Sequence, residues 1–152
     1  LESYDWFTRK ASARVKKPAD VQAPIWCSIS RENCLRPVPG TVVYVLEVPK
    51  DQVIYFDDEK WDYVLNRIYL PKDREDREQY RRHLRELGVV NGFEFFQGRY
   101  KGMYPEEERR IRESWERIFD IDRWTIFNVC GNIWEIREEW VLRIVHPGED
   151  VV

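Results

Sequence analysis

The chain has 152 residues, of which 43% are hydrophobic and 35% are charged, and its net charge is −3. This length suits one domain with one core and is too short for two independent cores, so we predict a single globular domain over residues 1–152. The acidic balance opposes non-specific binding to a nucleic-acid backbone, which needs a concentrated basic surface.

Cysteine content and hydropathy restrict the compartment. Cys27, Cys34 and Cys130 are an odd number and form no Cys-x-x-Cys pair, which favours a reducing, cytoplasmic location without a disulfide framework. The longest apolar run, residues 42–48, is far shorter than the ~20 residues that cross a bilayer. We therefore predict no membrane association.

The N-terminal third alternates between one helix and short strands. Apolar residues recur every three to four positions after Ser3, which predicts a helix over residues 3–15. Strands are predicted over 24–29, 42–48 and 53–56, and the Val-rich run 42–48 is expected to be a central strand covered on both faces.

The middle of the chain predicts three helices. Asp57 and Asp58 suit the start of an amphipathic helix over 57–68, and a charged helix over 73–87 ends at a glycine. Residues 89–102 read as an irregular connection. A proline followed by three glutamates begins a third helix over 105–119, whose Trp115 and Phe119 we expect to be shielded by the sheet.

The C-terminal part predicts more strands. Apolar runs at 124–129 and 133–136 flank Cys130-Gly131-Asn132, a trio typical of a hairpin turn, and 140–145 predicts a final strand. The elements together indicate an α+β fold, a single domain with a mixed or antiparallel sheet packed by the two main amphipathic helices at 57–68 and 105–119.

Several polar and aromatic residues are candidates for a site, and each also has a structural interpretation. Glu116 borders the buried stripe of its helix and either acts on a ligand or pairs with Arg112. Asn66 either faces a ligand or anchors a loop. Three tryptophans, Trp26, Trp61 and Trp115, either form an aromatic floor for a base or belong to the core.

The residue pattern gives no support to a metal site, a nucleophilic catalytic site or a glycine-rich phosphate site. His83 lies in an arginine-rich stretch and His146 lies alone before a proline, so neither has the acidic or thiol neighbours of a metal site. No serine or cysteine has a histidine at a suggestive spacing, and no glycine-rich phosphate loop is present. We predict no bound metal, and no cofactor is evident from the motifs.

A set of aromatic motifs runs along the chain in a recognisable order: Tyr4-x-Trp6, Pro24-Ile25-Trp26, residues 61–66 followed by Tyr69-Leu70, residues 114–120, and Trp134 with Val141. Together these resemble domain-of-unknown-function family 3841, a set of small prokaryotic proteins, over nearly the whole chain. Members of that family begin with a further short strand and helix. The resemblance thus implies that an N-terminal segment is missing before Leu1.

A second resemblance, one of layout, is to ADP-ribosyltransferase-like domains, which place an acidic residue in a late strand near an aromatic-lined nicotinamide pocket. Glu135, Glu138 and Glu139 beside Trp134 and Trp140 are the matching candidates. Such a carboxylate would orient the ribose and stabilise an oxocarbenium-like centre. A solvent-exposed, glutamate-rich strand explains the same pattern.

The residue pattern and the resemblances lead to two functional hypotheses. The first is a nucleotide-handling domain that resembles an ADP-ribosyltransferase, with NAD as a possible cofactor, catalytic Glu135 and Glu116, and a pocket lined by Trp26, Trp61 and Asn66. The second is a non-catalytic interaction module that holds a protein partner on an aromatic-rich surface. The first requires a concave pocket and the second an exposed apolar patch.

Overall fold

The computed structural model describes residues 2–151, so the two end residues of the predicted domain lie outside the described part of the chain. Helices and strands alternate early and late in the chain, with helices alone in the middle. The helices are α1 (Glu2–Arg14), α2 (Asp58–Leu65), α3 (Arg74–Leu87) and α4 (Pro105–Ser114). The strands are β1 (Ile25–Ser28), β2 (Val43–Leu46), β3 (Ile54–Asp57), β4 (Val129–Ile133) and β5 (Val141–Val145). The α+β class is confirmed.

These elements fall into two compact units. The sheet unit comprises residues 2–56 and 123–151, and the helical unit comprises residues 57–122. The sheet unit holds α1 and the strands, whereas the helical unit holds α2, α3 and α4.

The sheet unit contains two small sheets where the sequence predicted one. The first has the order β1-β4-β3, with β1 antiparallel to β4, and the second pairs β2 with β5, also antiparallel. The prediction of a central strand over 42–48 is therefore wrong, because β2 has a single neighbour within residues 2–151. Its Tyr44 is 46% exposed. A continuous apolar run does not distinguish a central strand from one strand of a small sheet.

The predicted hairpin at Cys130-Gly131-Asn132 is also wrong, since β4 runs straight through these residues. Glycine is needed here for close approach: a Cβ on Gly131 would lie 3.2 Å from Val53 Cγ1 and 3.3 Å from Ile29 Cγ2. Asn132 is fully buried, and neither polar atom of its side chain has a hydrogen-bond partner in the described chain. The position of Gly131 and Asn132 inside the folded unit, rather than a turn, thus explains why these two residue types occur here.

The predicted strand at 124–129 is a turn up to its last residue, Val129, where β4 begins. The side-chain amide of Asn128 stabilises this turn through both its oxygen and its nitrogen. Its Oδ1 accepts from the Thr125 backbone N–H at 2.9 Å, and its Nδ2 donates to the Arg123 carbonyl at 2.7 Å. Local side-chain hydrogen bonds of this kind compete with strand formation.

An aromatic cluster joins α1 to the first sheet. The Phe7 ring of α1 lies 4.9 Å from the Trp26 ring and 5.3 Å from the Phe56 ring, measured between centroids. The indole N–H of Trp134 donates to the Val15 carbonyl at 2.8 Å, just after α1 ends. These contacts place the core of the sheet unit between α1 and one face of the sheet.

Local capping explains where α2 and α3 begin. The Asp57 carboxylate accepts from the Lys60 N–H at the start of α2, and Asp73 accepts from the Asp76 N–H at the start of α3. Gly88 ends α3 with φ of 72°, a left-handed conformation that favours glycine. The charged helix was therefore predicted correctly at both ends.

The helix predicted over 105–119 is shorter than expected, because α4 ends at Ser114 and a 3-10 helix follows over Trp115–Phe119. The Ser114 hydroxyl donates to the Ile111 carbonyl at 2.6 Å and accepts from the Leu70 N–H at 2.9 Å. Trp115 is buried and Phe119 is half-buried, and the contacts of Trp115 with Ile68 and Phe96 lie within the helical unit. Shielding of the two residues by the sheet stays a prediction.

Candidate functional site

The sheet unit contains a groove of about 490 Å³ that is lined by residues of both sheets. Its lining is mainly aliphatic, with three aromatic residues and two cysteines. The lining residues are Ile25, Trp26, Cys27, Ser28, Ile29, Cys34, Val42, Val43, Tyr44, Leu46, Val48, Val53, Tyr55, Gly131, Ile133 and Ile136. They include neither a carboxylate nor a basic side chain. The groove therefore suits a planar or apolar group and offers no partner for a formal charge.

Strand alternation determines which side chains face this groove. Successive residues of a strand point to opposite faces of the sheet, so Trp26 and Cys27 of β1 point to opposite sides. The Trp26 ring packs on the α1 side, with centroids 5.2 Å from Phe56 and 5.7 Å from Tyr4. Trp26 is still 40% exposed and contributes to the edge of the groove.

Cys27 lies on the groove side of β1, opposite Gly131 in the neighbouring strand. Burial raises the pKa of its thiol to about 11. The thiolate is the nucleophilic form, so Cys27 is a neutral, unreactive part of the wall at physiological pH. No disulfide joins the three cysteines within residues 2–151.

Glu135 directly precedes Ile136, which lines the groove. Its carboxylate accepts from Arg137 Nε at 2.8 Å, and both side chains are partly exposed. The Arg137 guanidinium lies over the Trp140 ring, 5.0 Å from the centroid. Glu138 and Glu139 are exposed. The Glu135 side chain is thus oriented by Arg137 and is itself not among the residues that line the groove.

Three of the predicted site residues belong to the helical unit instead. Trp61 is buried in α2, and Asn66, at the end of that helix, donates from Nδ2 to the Asp62 carbonyl at 2.7 Å. Glu116 is exposed on the 3-10 helix that follows α4. The burial of Trp61 is typical of a core residue, the Asn66 hydrogen bond stays within α2 and anchors no loop, and a ligand role for these three residues stays a prediction.

A cluster that the sequence did not indicate surrounds two tyrosines of the helical unit. The Tyr69 and Tyr80 rings stack with centroids 4.0 Å apart, and the Tyr69 hydroxyl donates to Asp76 at 2.9 Å. Burial, followed by the hydrogen bond to Asp76, raises the pKa of Tyr69. The spacing of these residues on and before a charged helix carries no signal of a site, since their rings meet only in the folded chain.

Asp76 is the acidic centre of this cluster. Burial acts to raise its pKa, but hydrogen bonds from the Lys72 backbone N–H and the Tyr69 hydroxyl, with nearby arginines, outweigh burial and lower the pKa. Asp76 therefore remains an ionised hydrogen-bond acceptor that holds Tyr69 in place.

Two further properties of the described residues concern metal binding and membrane insertion. In the part of the chain that the structure describes, no group of three His, Cys, Asp or Glu side chains has an arrangement that would hold a metal ion. No helix among the described residues combines the length and apolar character that a membrane span needs.

The fold and groove together define a small α+β protein with two short antiparallel sheets lining an apolar cleft. Its sequence matches the family model described as "Domain of unknown function (DUF3841)" over residues 1–142, and the chain belongs to this family. Neither a curated protein nor a solved structure matches the sequence. The expectation of a further N-terminal segment stays a prediction.

Proposed function

We propose that this domain handles a nucleotide-type ligand such as NAD, in a manner similar to ADP-ribosyltransferase domains, with the base in the groove between the two sheets. The observation that carries the proposal is the groove itself, about 490 Å³ with the aromatic residues Trp26, Tyr44 and Tyr55 in its lining. A cleft of this size accommodates a planar heterocycle, and its apolar wall favours the uncharged face of a base.

Glu135 would supply the chemistry at the border of the groove. In this reaction the bond between the ribose C1′ and nicotinamide breaks, nicotinamide leaves with the bonding electrons, and an acceptor nucleophile bonds to C1′ and loses its proton. A carboxylate beside C1′ would stabilise the oxocarbenium-like transition state. The ion pair with Arg137 would hold this carboxylate in one orientation.

The proposed ligand site predicts that Tyr44→Ala weakens NAD binding by about tenfold, because it removes an exposed ring from the groove wall. Isothermal titration with NAD and a panel of nucleotides measures this change. Leu142→Ala is the matched control, since Leu142 is exposed on β5 but does not line the groove. Equal affinities of the wild type and both variants would contradict the site, and absence of any nucleotide binding would contradict the proposal.

The catalytic part of the proposal predicts that Glu135→Gln lowers the rate of nicotinamide release from NAD by about 100-fold or more, on the order of the loss when one transition-state-stabilising group is removed. NAD affinity should change little, because the carboxylate acts mainly on the transition state. Glu138→Gln, in the same acidic stretch, should retain the wild-type rate. If both variants release nicotinamide as fast as the wild type, Glu135 has no catalytic role.

A non-catalytic interaction module is the second candidate. It is favoured by the uncharged lining of the groove, together with the exposure of Tyr44 and Ile136 at its edge. Such a module would bind a protein partner through the same wall and would show no nucleotide binding. For either function we propose a cytoplasmic location, which fits three cysteines without a disulfide.

A further inference from the structure

A second concavity, in the helical unit, has a different chemical character from the groove. We call it the tyrosine–arginine pocket. It has a volume of about 380 Å³, and its lining includes Tyr63, Tyr69, Tyr80, Arg77, Arg81 and Asn91. Aliphatic residues complete the wall. This pocket shares no residue with the groove of the sheet unit, so a ligand that binds here is independent of the proposed function.

The aromatic wall of this pocket is held rigidly. Tyr69 and Tyr80 stack on each other, and the Arg110 guanidinium covers both rings, 5.6 and 5.3 Å from their centroids. The hydrogen bond to Asp76 fixes the Tyr69 hydroxyl. A wall that is already ordered loses little conformational entropy when a ligand binds.

The floor of the pocket is formed at Gly92, in the 3-10 helix after α3. A Cβ at this position would lie 2.9 Å from the Tyr80 hydroxyl oxygen and 3.2 Å from Ile111 Cδ1. The Tyr80 hydroxyl therefore packs closely against the Gly92 backbone, and a side chain at position 92 would displace it. The Tyr80 hydroxyl is buried and has no hydrogen-bond partner in the described chain, which is unusual for a tyrosine in a packed core.

Positive charge is concentrated on one side of the pocket. Arg77 and Arg81 are four residues apart on α3, so both guanidiniums extend from the same face of the helix. Arg81 pairs with Glu78 at 3.3 Å, where both side chains are half-exposed, and Arg77 forms no ion pair with a described residue. Two neighbouring guanidiniums form a favourable site for a carboxylate or phosphate group.

We propose that the tyrosine–arginine pocket binds a small aromatic anion. The ring lies in the slot beside Tyr63 and the aliphatic wall, and the carboxylate or phosphate lies against Arg77 and Arg81. Asn91 also lines the pocket, and its Oδ1 accepts from the Phe93 N–H. A ligand that has both a ring and an anionic group would contact the aromatic and aliphatic wall as well as the two arginines. A ligand with only one of these groups would contact only one of the two parts.

Four probes test this assignment on the full chain by NMR titration: benzoate, phenyl phosphate, benzyl alcohol as the ring without charge, and acetate as the charge without a ring. Benzoate or phenyl phosphate should bind with a dissociation constant roughly in the millimolar range, which is usual for ligands of so few atoms. Benzyl alcohol and acetate should bind at least about tenfold more weakly. The more tightly bound of the two anions identifies the preferred group.

The double variant Arg77→Gln, Arg81→Gln should weaken binding of the aromatic anions by about tenfold. Arg74→Gln, Arg82→Gln is the matched control, because it removes two charges from the same helix but from residues outside the pocket lining. It should leave binding unchanged, as should Tyr44→Ala in the groove of the sheet unit. Equal weakening by the two double variants, binding of benzyl alcohol as tight as that of benzoate, or no binding of either aromatic anion would overturn the assignment.

Discussion

Replacing Trp115 with alanine should lower the free energy of unfolding by about 3–5 kcal/mol, the range observed when a buried tryptophan is truncated in a core. Trp115 is 1% exposed, its indole N–H donates to the Ile68 carbonyl at 2.9 Å, and its ring stacks on Phe96 with centroids 6.0 Å apart. Truncation removes this packing and leaves the part-buried Ile68 carbonyl without its donor. Urea unfolding followed by circular dichroism measures the change.

Two further variants separate the causes. Trp115→Phe keeps most of the ring and loses the N–H donor, so it should cost about 1–3 kcal/mol. Trp124→Ala is the control for loss of an indole at the surface, since Trp124 is 57% exposed, and it should cost less than about 1 kcal/mol. A loss for Trp115→Ala no larger than that for Trp124→Ala would show that Trp115 is not a core residue.

Phe7→Ala should have the largest effect in the sheet unit, with a loss of about 3–5 kcal/mol. The Phe7 side chain is completely buried and contacts both Trp26 and Phe56, so its ring connects α1 to two strands of the first sheet. Truncation would therefore leave a cavity between α1 and the aromatic residues of β1 and β3. Thermal and urea unfolding of the variant measure the loss.

Tyr4→Ala on the same helix is the matched control for Phe7. Tyr4 is 48% exposed and contacts the edge of the Trp26 ring, 5.7 Å between centroids. Its truncation removes an aromatic side chain of similar size at the same helix but in solvent, and should cost about 1 kcal/mol or less. If the two substitutions cost the same, the aromatic cluster does not hold α1 on the sheet.

The helices of this protein were predictable because their signals are local. An aspartate that accepts from an N–H three residues later, as Asp57 and Asp73 do, needs no tertiary partner. A glycine with positive φ, such as Gly88, ends a helix for the same local reason. The end of α4 at Ser114 was missed because its hydroxyl accepts from Leu70, a residue far away in the chain.

The strands were harder to predict, since their partners decide their role. Gly131 and Asn132 have the composition of a turn, yet β4 passes through them, because both residues pair with β1, Gly131 with Cys27 and Asn132 with Trp26. The run 42–48 is apolar throughout most of its length, but its place in a two-stranded sheet depends on pairing with β5, at the other end of the chain. Periodicity contains no information about that pairing.

The candidate sites, too, were only partly predictable from the sequence. The sequence identified Trp26 and Glu135, and the structure places the first at the edge of the groove and the second next to a lining residue. It did not identify Tyr44, Tyr55 or the tyrosine–arginine pocket, whose members become neighbours only on folding. Exposed rings and arginines are common at any surface, so their types alone do not indicate a concavity.

By itself the sequence determined the α+β class, the helix positions and the family, because capping, periodicity and motif order are properties of short segments or of the order of those segments. Only the tertiary structure decided that two sheets line one groove, that the Trp26 ring packs towards α1, and that two arginines border an aromatic pocket. These features depend on contacts between residues that are distant in the chain, and such contacts form only when burial of apolar surface brings the segments together.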